Sequence, residues 1–204
     1  MTALLLKDLP QYTDILRLRN GGSLTVRFVQ PRDAEALQSY FRGLTARSRY
    51  NRLLGAASEL PLSVLGKFVR VGEGEGFSAV ATMTLDGVET IVGEIRYALD
   101  MTSGHMEFGI SIADRWQGFG IGATLLSNLE CRAAALGAVE IYGDTLRAND
   151  AMIKLARKSG YAFAPTPGDW KLVRFAKRIA IAKEEIPCAS WRIAAQQAAL
   201  HAAA

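Results

Sequence analysis

The stretch HMEFGISIADRWQGFGIGATLLSNLECRAAALG, residues 105–137, decides how this chain folds. It reads in three parts. His105 to Ala113 is rich in apolar and β-branched residues and reads as a strand. Gln117-Gly118-Phe119-Gly120-Ile121-Gly122 is a glycine-rich turn. Gly118 to Leu136 then reads as a long helix, with Ile121, Leu125, Leu126, Leu129, Ala133 and Leu136 on one stripe and Gly137 as its stop. Glycines at such a junction let the backbone approach a ligand, and the first amides of the helix have no carbonyl to bond. Together with the positive end of the helix dipole they form a cradle for a pyrophosphate.

Two phosphate-binding readings compete for that turn. Gly118-x-Gly120-x-x-Ala123 fits the dinucleotide fingerprint, with Glu140 about twenty residues beyond it. That fingerprint belongs to the first strand-turn-helix of a parallel sheet, whereas here the turn follows several mostly antiparallel strands. A Walker-type loop fails because no Gly-Lys-Ser/Thr follows. The other reading is an acyl-CoA site.

Working outward, residues 1–22 read as an N-terminal extension ended by Asn20-Gly21-Gly22. Ser23 to Phe28 alternates polar and apolar and suits a first strand. Gln30-Pro31-Arg32-Asp33 opens a helix carrying Ala34, Leu37, Phe41 and Leu44 on one face. Thr45 to Leu54 and Leu60 to Val69 read as two further helices, and Gly72 to Gly76 as an acidic, solvated loop. Phe77 to Leu85, Glu89 to Leu99 and His105 to Ala113 form an antiparallel meander with a turn at Asp86-Gly87. Downstream, Val139 to Thr145 is a strand and Asn149 to Ser159 a helix stopped by Gly160. Tyr161 to Ala164 and Trp170 to Ala176 are two final strands. Residues 179–204 read as a partly helical tail. Strands dominate the middle and one strand-helix-strand crossover spans residues 105–145. The expected fold class is therefore α/β (α+β), a mixed sheet with helices on both faces in a single domain over residues 23–178.

The 204 residues, half of them apolar and 22% charged, suit one ordinary globular unit. A net charge of +4 on a mixed surface with no basic stripe argues against nucleic acid as a partner. No apolar run is long enough for a membrane span, and Ala3-Leu4-Leu5-Leu6 is too short for a signal core. Cytoplasmic placement and reduced thiols are the expectation. Cys131 and Cys188 form no CxxC pair, so neither a zinc site nor a disulfide is expected, and Cys131 reads as a buried, inert thiol. His105 and His201 are too few for a metal or triad role, and no metal is expected.

The run Ile112-Ala113-Asp114-Arg115-Trp116-Gln117-Gly118-Phe119-Gly120-Ile121-Gly122 resembles motif A, Q/R-x-x-G-x-G/A, of the GNAT superfamily of N-acetyltransferases. Asn149 with Met152, Leu155, Gly160 and Tyr161 resembles motif B. Arg27-Phe28-x-x-Pro31-x-Asp33-Ala34, Ser48-x-Tyr50 and Met106-Glu107-Phe108 are similar to the catalytic domain of bacterial Pat-type protein-lysine acetyltransferases. The resemblance covers about three quarters of the chain. It implies a GNAT-like fold in which the strands at 105–113 and 139–145 run parallel and splay. It also implies acetyl-CoA as co-substrate, with its pantetheine arm in the gap. Ile110, Ser111 and Ile112 would meet that arm. The amides of Gln117, Gly118, Phe119, Gly120, Ile121 and Gly122 would hold the pyrophosphate. The Asn149 side chain would bond the cofactor, although Asn at a helix start is also an ordinary N-cap.

The implied chemistry is direct transfer to a primary amine. An alkylammonium with a pKa of about 10.4 must lose its proton before attacking, so a base is needed. Glu107 matches the glutamate of Pat-type enzymes, and Glu94 is the reserve. Many members of the superfamily place a tyrosine seven residues after the motif-B asparagine as general acid. Here that position is Ala156, and Tyr161 reads as a core residue. The expected acceptor is a protein lysine. A small amine, or a non-catalytic acyl-CoA-binding regulatory module, are the alternatives, the acidic loop being the hint for the former and Ala156 for the latter. Pat-type enzymes commonly carry a further regulatory or synthetase-like domain. None is present in the sequence, and a free-standing catalytic unit, monomeric or homodimeric, is expected.

Overall fold

The computed structural model describes residues 12–18, 21–70 and 76–203. The loop read at Gly72–Gly76 therefore lies, apart from Gly76, outside the described residues. In chain order the elements are β1 (Asp14–Arg17), β2 (Ser23–Phe28), α1 (Ala34–Gly43), α2 (Ala46–Leu53), α3 (Leu62–Val69), β3 (Gly76–Leu85), β4 (Val88–Leu99), β5 (His105–Ile112), α4 (Ile121–Leu136), β6 (Glu140–Leu146), α5 (Asp150–Lys158), β7 (Ala162–Pro165), β8 (Leu172–Arg178) and α6 (Ala189–Ala203).

Among the described residues, eight strands form one sheet in the order β1-β2-β3-β4-β5-β6-β8-β7. The neighbouring strands are antiparallel except β5 and β6. That parallel pair is joined through His105↔Glu140, Met106↔Ile141 and Glu107↔Tyr142, and no further. From Phe108 onward β5 pairs only with β4. The sheet thus opens into a V whose vertex is Glu107 and Tyr142.

Strand alternation sorts the side chains onto two faces. Met106 and Phe108 of β5 and Ile141 of β6 are buried with Ile121, Leu125, Leu126 and Leu129 of α4. A second apolar cluster lies around α1 and α3, where Leu37, Phe41, Leu60 and Phe68 meet Val80 of β3. The opposite residues of β5, Glu107, Gly109 and Ser111, share their face with Glu94 and Arg96 of β4 and with Tyr142 of β6.

The two ends of the described chain differ from the reading of an extension and a tail. Asp14–Arg17 adds an edge strand to β2, and α6 packs on α4. Trp191 is fully buried, stacked on Tyr12 with ring centroids 5.0 Å apart. Asp14 accepts hydrogen bonds from the Trp191 indole (3.0 Å), from Asn128 of α4 (2.7 Å) and from the Ser190 hydroxyl. Arg132, also fully buried, lies between the rings of Phe28 and Trp191, 4.9 and 4.6 Å from their centroids. α4 is therefore covered twice, by the sheet on its apolar stripe and by α6 on a side where Arg132 Nε donates to Asn128 and Asn128 to Asp14.

The cysteines also depart from the sequence reading. Cys131 of α4 and Cys188, just before α6, form a disulfide with their Cα atoms 6.0 Å apart. They stand 57 residues apart, so spacing alone could not show that α6 folds back onto α4. The helix at 118–136 starts later than expected, at Ile121, because Gly118 and Gly120 have φ of +83° and +87° and cannot lie in a right-handed helix. The last strand sits at 172–178 rather than 170–176.

If α6 is part of the core, Trp191→Ala removes a fully buried indole and destabilises the protein by about 3–5 kcal/mol in denaturant unfolding. Unchanged stability would return residues 179–204 to the status of a dangling tail.

Candidate active site

The glycine turn places a row of backbone donors at the open end of the V. Gly120 is the N-cap of α4 and supplies no side chain to it. The amides of Gly118 through Ala123 donate to no acceptor among the described residues; the first helical bond comes from Thr124 to the Gly120 carbonyl, at 3.0 Å. No protein atom lies within 4 Å of where a Cβ would stand on Gly118 or Gly120. Six adjacent N–H groups stand without an acceptor among the described residues at a helix start, where an anion is favoured. This arrangement fits the pyrophosphate of an acyl-CoA.

Gln117 does not belong to that row. Its amide donates to the Asp114 carbonyl at 3.2 Å, and its side chain donates to the Ile112 carbonyl at 3.1 Å. The donor row is therefore displaced by one residue from the sequence expectation and gains Ala123. Phe119 is half exposed and packs edge-on against Trp116.

Beyond the vertex, Phe108 to Ile112 have no strand partner on their β6 side. Backbone groups left unpaired in this way need another partner, and an amide-bearing pantetheine chain is one that fits. Ile110 and Ile112 pack against the α4 core, so their side chains form the floor of the gap. Ser111 behaves differently. Its hydroxyl points to the other face, donating to Glu94 at 2.6 Å and lying 2.9 Å from the Tyr40 hydroxyl.

Helix α2 spans the mouth of the V. Asp114, after β5, accepts from the Thr45 amide and hydroxyl (both 2.9 Å) and from the Ser48 hydroxyl (2.6 Å). Burial works to raise the Asp114 carboxyl, but these hydrogen bonds outweigh it and hold it below the usual aspartate range. Between Thr45 and Ser48 in the same turn, Arg47 donates to the Ala148 carbonyl, after β6, at 3.2 Å. The same helix thereby touches both arms.

Asn149 is the N-cap of α5. It accepts from the Met152 amide at 3.3 Å and donates to the Thr145 hydroxyl at 2.9 Å. Ala156 is fully buried, and no hydroxyl stands at that position. Tyr161 is a core residue on the α4 face, packed against Phe108 and Phe175.

The two candidate bases fare differently. Glu94 is fully buried and held by Arg52 through bonds of 2.6 and 3.0 Å. With Ser111 donating as well, both its oxygens are engaged. The guanidinium lies flat across β5: a Cβ on Gly109 would stand 2.8 Å from Arg52 Nη1, which explains a glycine inside this strand. Glu107 lies four residues away along β5, about 13 Å at strand rise. It is exposed, at the vertex, and no ion pair engages it among the described residues. Beside it, Tyr142 carries the Arg174 guanidinium 4.3 Å over its ring, and Arg174 is doubly bonded to Asp144 at 3.0 and 2.7 Å. Burial would raise Asp144, yet Arg174 and the Thr166 hydroxyl hold it below the usual range. Sequence reading missed Tyr40, Arg52, Tyr142 and Arg174; their partners lie on other strands and helices.

A buried carboxylate left without its cation is costly. Arg52→Met is expected to cost about 3–5 kcal/mol in chemical denaturation, and adding Glu94→Gln to recover part of it. Equal stability of Arg52→Met and wild type would mean that Glu94 is not locked as described.

A sequence profile described as the acetyltransferase (GNAT) family matches residues 49–161. An acetyltransferase of Pseudomonas aeruginosa is 28% identical over 152 residues, covering 74% of this chain and 82% of its own. The GNAT domain of S. lividans PAT superposes with a TM-score of 0.73 at 23% identity, covering 81% of this chain and 96% of that domain. A spermidine N-acetyltransferase from Vibrio cholerae, in complex with CoA and spermine, superposes at 0.63 with 15% identity over 77% of this chain and 96% of its own. At these identities the two structures share a fold with this chain.

Proposed function

Because the chain belongs to the GNAT family of acetyltransferases, we propose that it transfers an acetyl group from acetyl-CoA to the ε-amine of a protein lysine, with Glu107 as the proton acceptor. One observation carries this reading: the exposed carboxylate at the vertex of the V, in line with the unpaired edge of β5 and the row of open amides at its far end.

Acetyl-CoA supplies the activated thioester. The chain's own groups do the rest. The amides of Gly118–Ala123 hold the pyrophosphate, and the free edge of Phe108–Ile112 aligns the arm so that its acyl end reaches the vertex. Glu107 takes a proton from the incoming ammonium. The nitrogen lone pair then forms the C–N bond as the C–S bond breaks; the CoA thiolate departs and the nitrogen's second proton passes to water. Fixing both reactants at one vertex supplies the proximity that makes such a transfer fast.

The surroundings of the vertex support a macromolecular acceptor. Glu107 is exposed, and Tyr142, Asp144 and Arg174 are only half buried. Trp170, whose carbonyl accepts from Arg147 beyond the far end of β6, is 80% exposed, and Tyr50 of α2 is 46% exposed. Sites for small ligands are enclosed, whereas exposed aromatics favour a protein surface.

The test is thiol release from acetyl-CoA with lysine peptides, polyamines and amino acids as acceptors. Glu107→Gln is expected to lower kcat on the peptide by about 10²–10⁴-fold, while calorimetric affinity for acetyl-CoA stays as in wild type. Turnover of polyamines alone would assign a small-amine acceptor. Binding without turnover on any acceptor would make the chain a CoA-binding module.

A further inference from the structure

The departing sulfur needs a proton, and the usual donor is missing. Ala156 has no hydroxyl, and Tyr161 lies in the aromatic core of the α4 face, where burial and then the charge of Glu130 push its hydroxyl well above the usual phenol range. Ser111 is bonded to Glu94 and Tyr40 to Ser111, well along β5 from the vertex.

Tyr142 is placed differently. It is the register partner of Glu107 in the last pair of the parallel ladder, so the two side chains are neighbours on one face where the strands part. Its ring is fixed by the Arg174 guanidinium, itself anchored on Asp144. Burial, and after it the charge of Glu107, raises the Tyr142 hydroxyl above the usual phenol value.

Resting on the reading of Glu107 as base, we propose that Tyr142 is a second catalytic group, passing a proton from Glu107 to the leaving sulfur. The ammonium proton goes to the Glu107 carboxylate. As the C–N bond forms and the C–S bond breaks, the Tyr142 hydroxyl gives its proton to the sulfur, and protonated Glu107 returns one to the phenolate. The nitrogen's second proton passes to water at the exposed vertex as the amide forms, and the cycle ends with free thiol, carboxylate and phenol. A phenol is a weaker acid than a thiol and cannot by itself drive protonation of a thiolate, whereas a carboxylic acid can. The relay therefore needs both residues, and its groups face Asp144 of β6 and Arg174 of β8.

The experiment measures kcat, acetyl-CoA KM and the pH profile for wild type, Tyr142→Phe, Glu107→Gln and the double variant. Tyr142→Phe is expected to lose about 10²-fold in kcat, with KM for acetyl-CoA and the melting temperature unchanged. The double variant is expected to be no slower than Glu107→Gln, because residues acting as one unit are not additive. Should the phenylalanine variant fold poorly, 3,5-difluorotyrosine at position 142 keeps the ring and acidifies the hydroxyl, and the alkaline limb of kcat is expected to move to lower pH. Wild-type turnover matched by Tyr142→Phe, or an alkaline limb that the fluorinated residue leaves in place, overturns the relay alone. Absence of turnover in wild type on every acceptor overturns the function on which it rests.

Discussion

A parallel strand pair that stops after Glu107 and Tyr142 leaves Phe108 to Ile112 of β5 without a strand partner on the β6 side, where only the Ile112 carbonyl is taken up, by the Gln117 side chain. Unpaired backbone groups inside a sheet are expensive unless something else bonds them. The site is built around this constraint. α4 starts where β5 ends, so the unpaired edge runs directly into the unpaired amides of Gly118–Ala123. One continuous line of backbone polar groups follows, from a carboxylate at the vertex to a helix start at the mouth. A long ligand with an anionic end and an amide-bearing arm matches that line in order.

The V must be held open, and the chain does so with helix α2. Thr45 and Ser48 bond Asp114 at the end of one arm, while Arg47 reaches Ala148 at the end of the other. From the same helix Arg52 crosses Gly109 to reach Glu94. That buried pair fills the space beneath the helix with two charges that satisfy each other, a device that fixes geometry more than it adds stability. It also separates the roles of two carboxylates on one face. Glu94 has its oxygens engaged, and Glu107 is open.

How much of this is legible in the sequence depends on whether the cause is local. Gly118 and Gly120 are legible as a turn because left-handed φ values are a demand of the turn itself. The meander and the crossover follow from alternation and turn residues. Arg52 sits in an arginine-rich helix that looks like a solvated surface; its partner is 42 residues away on β4. Asp14–Arg17 offers four residues with little pattern of its own, and becomes a strand where Asp14 is captured by Asn128 and Trp191 from the far end of the chain. The disulfide escapes for the same reason. Tyr142 reads as one apolar residue of a strand until its register with Glu107 is known.

The most direct test of the account is the amide chemical-shift map of the ¹⁵N-labelled protein titrated with acetyl-CoA. The largest changes are expected at Gly118–Ala123 and along Phe108–Ile112, with the Gln117 amide, already bonded, moving less. Saturable shifts confined to other segments, with these amides unmoved, would contradict the claim that unpaired backbone grips the acyl carrier.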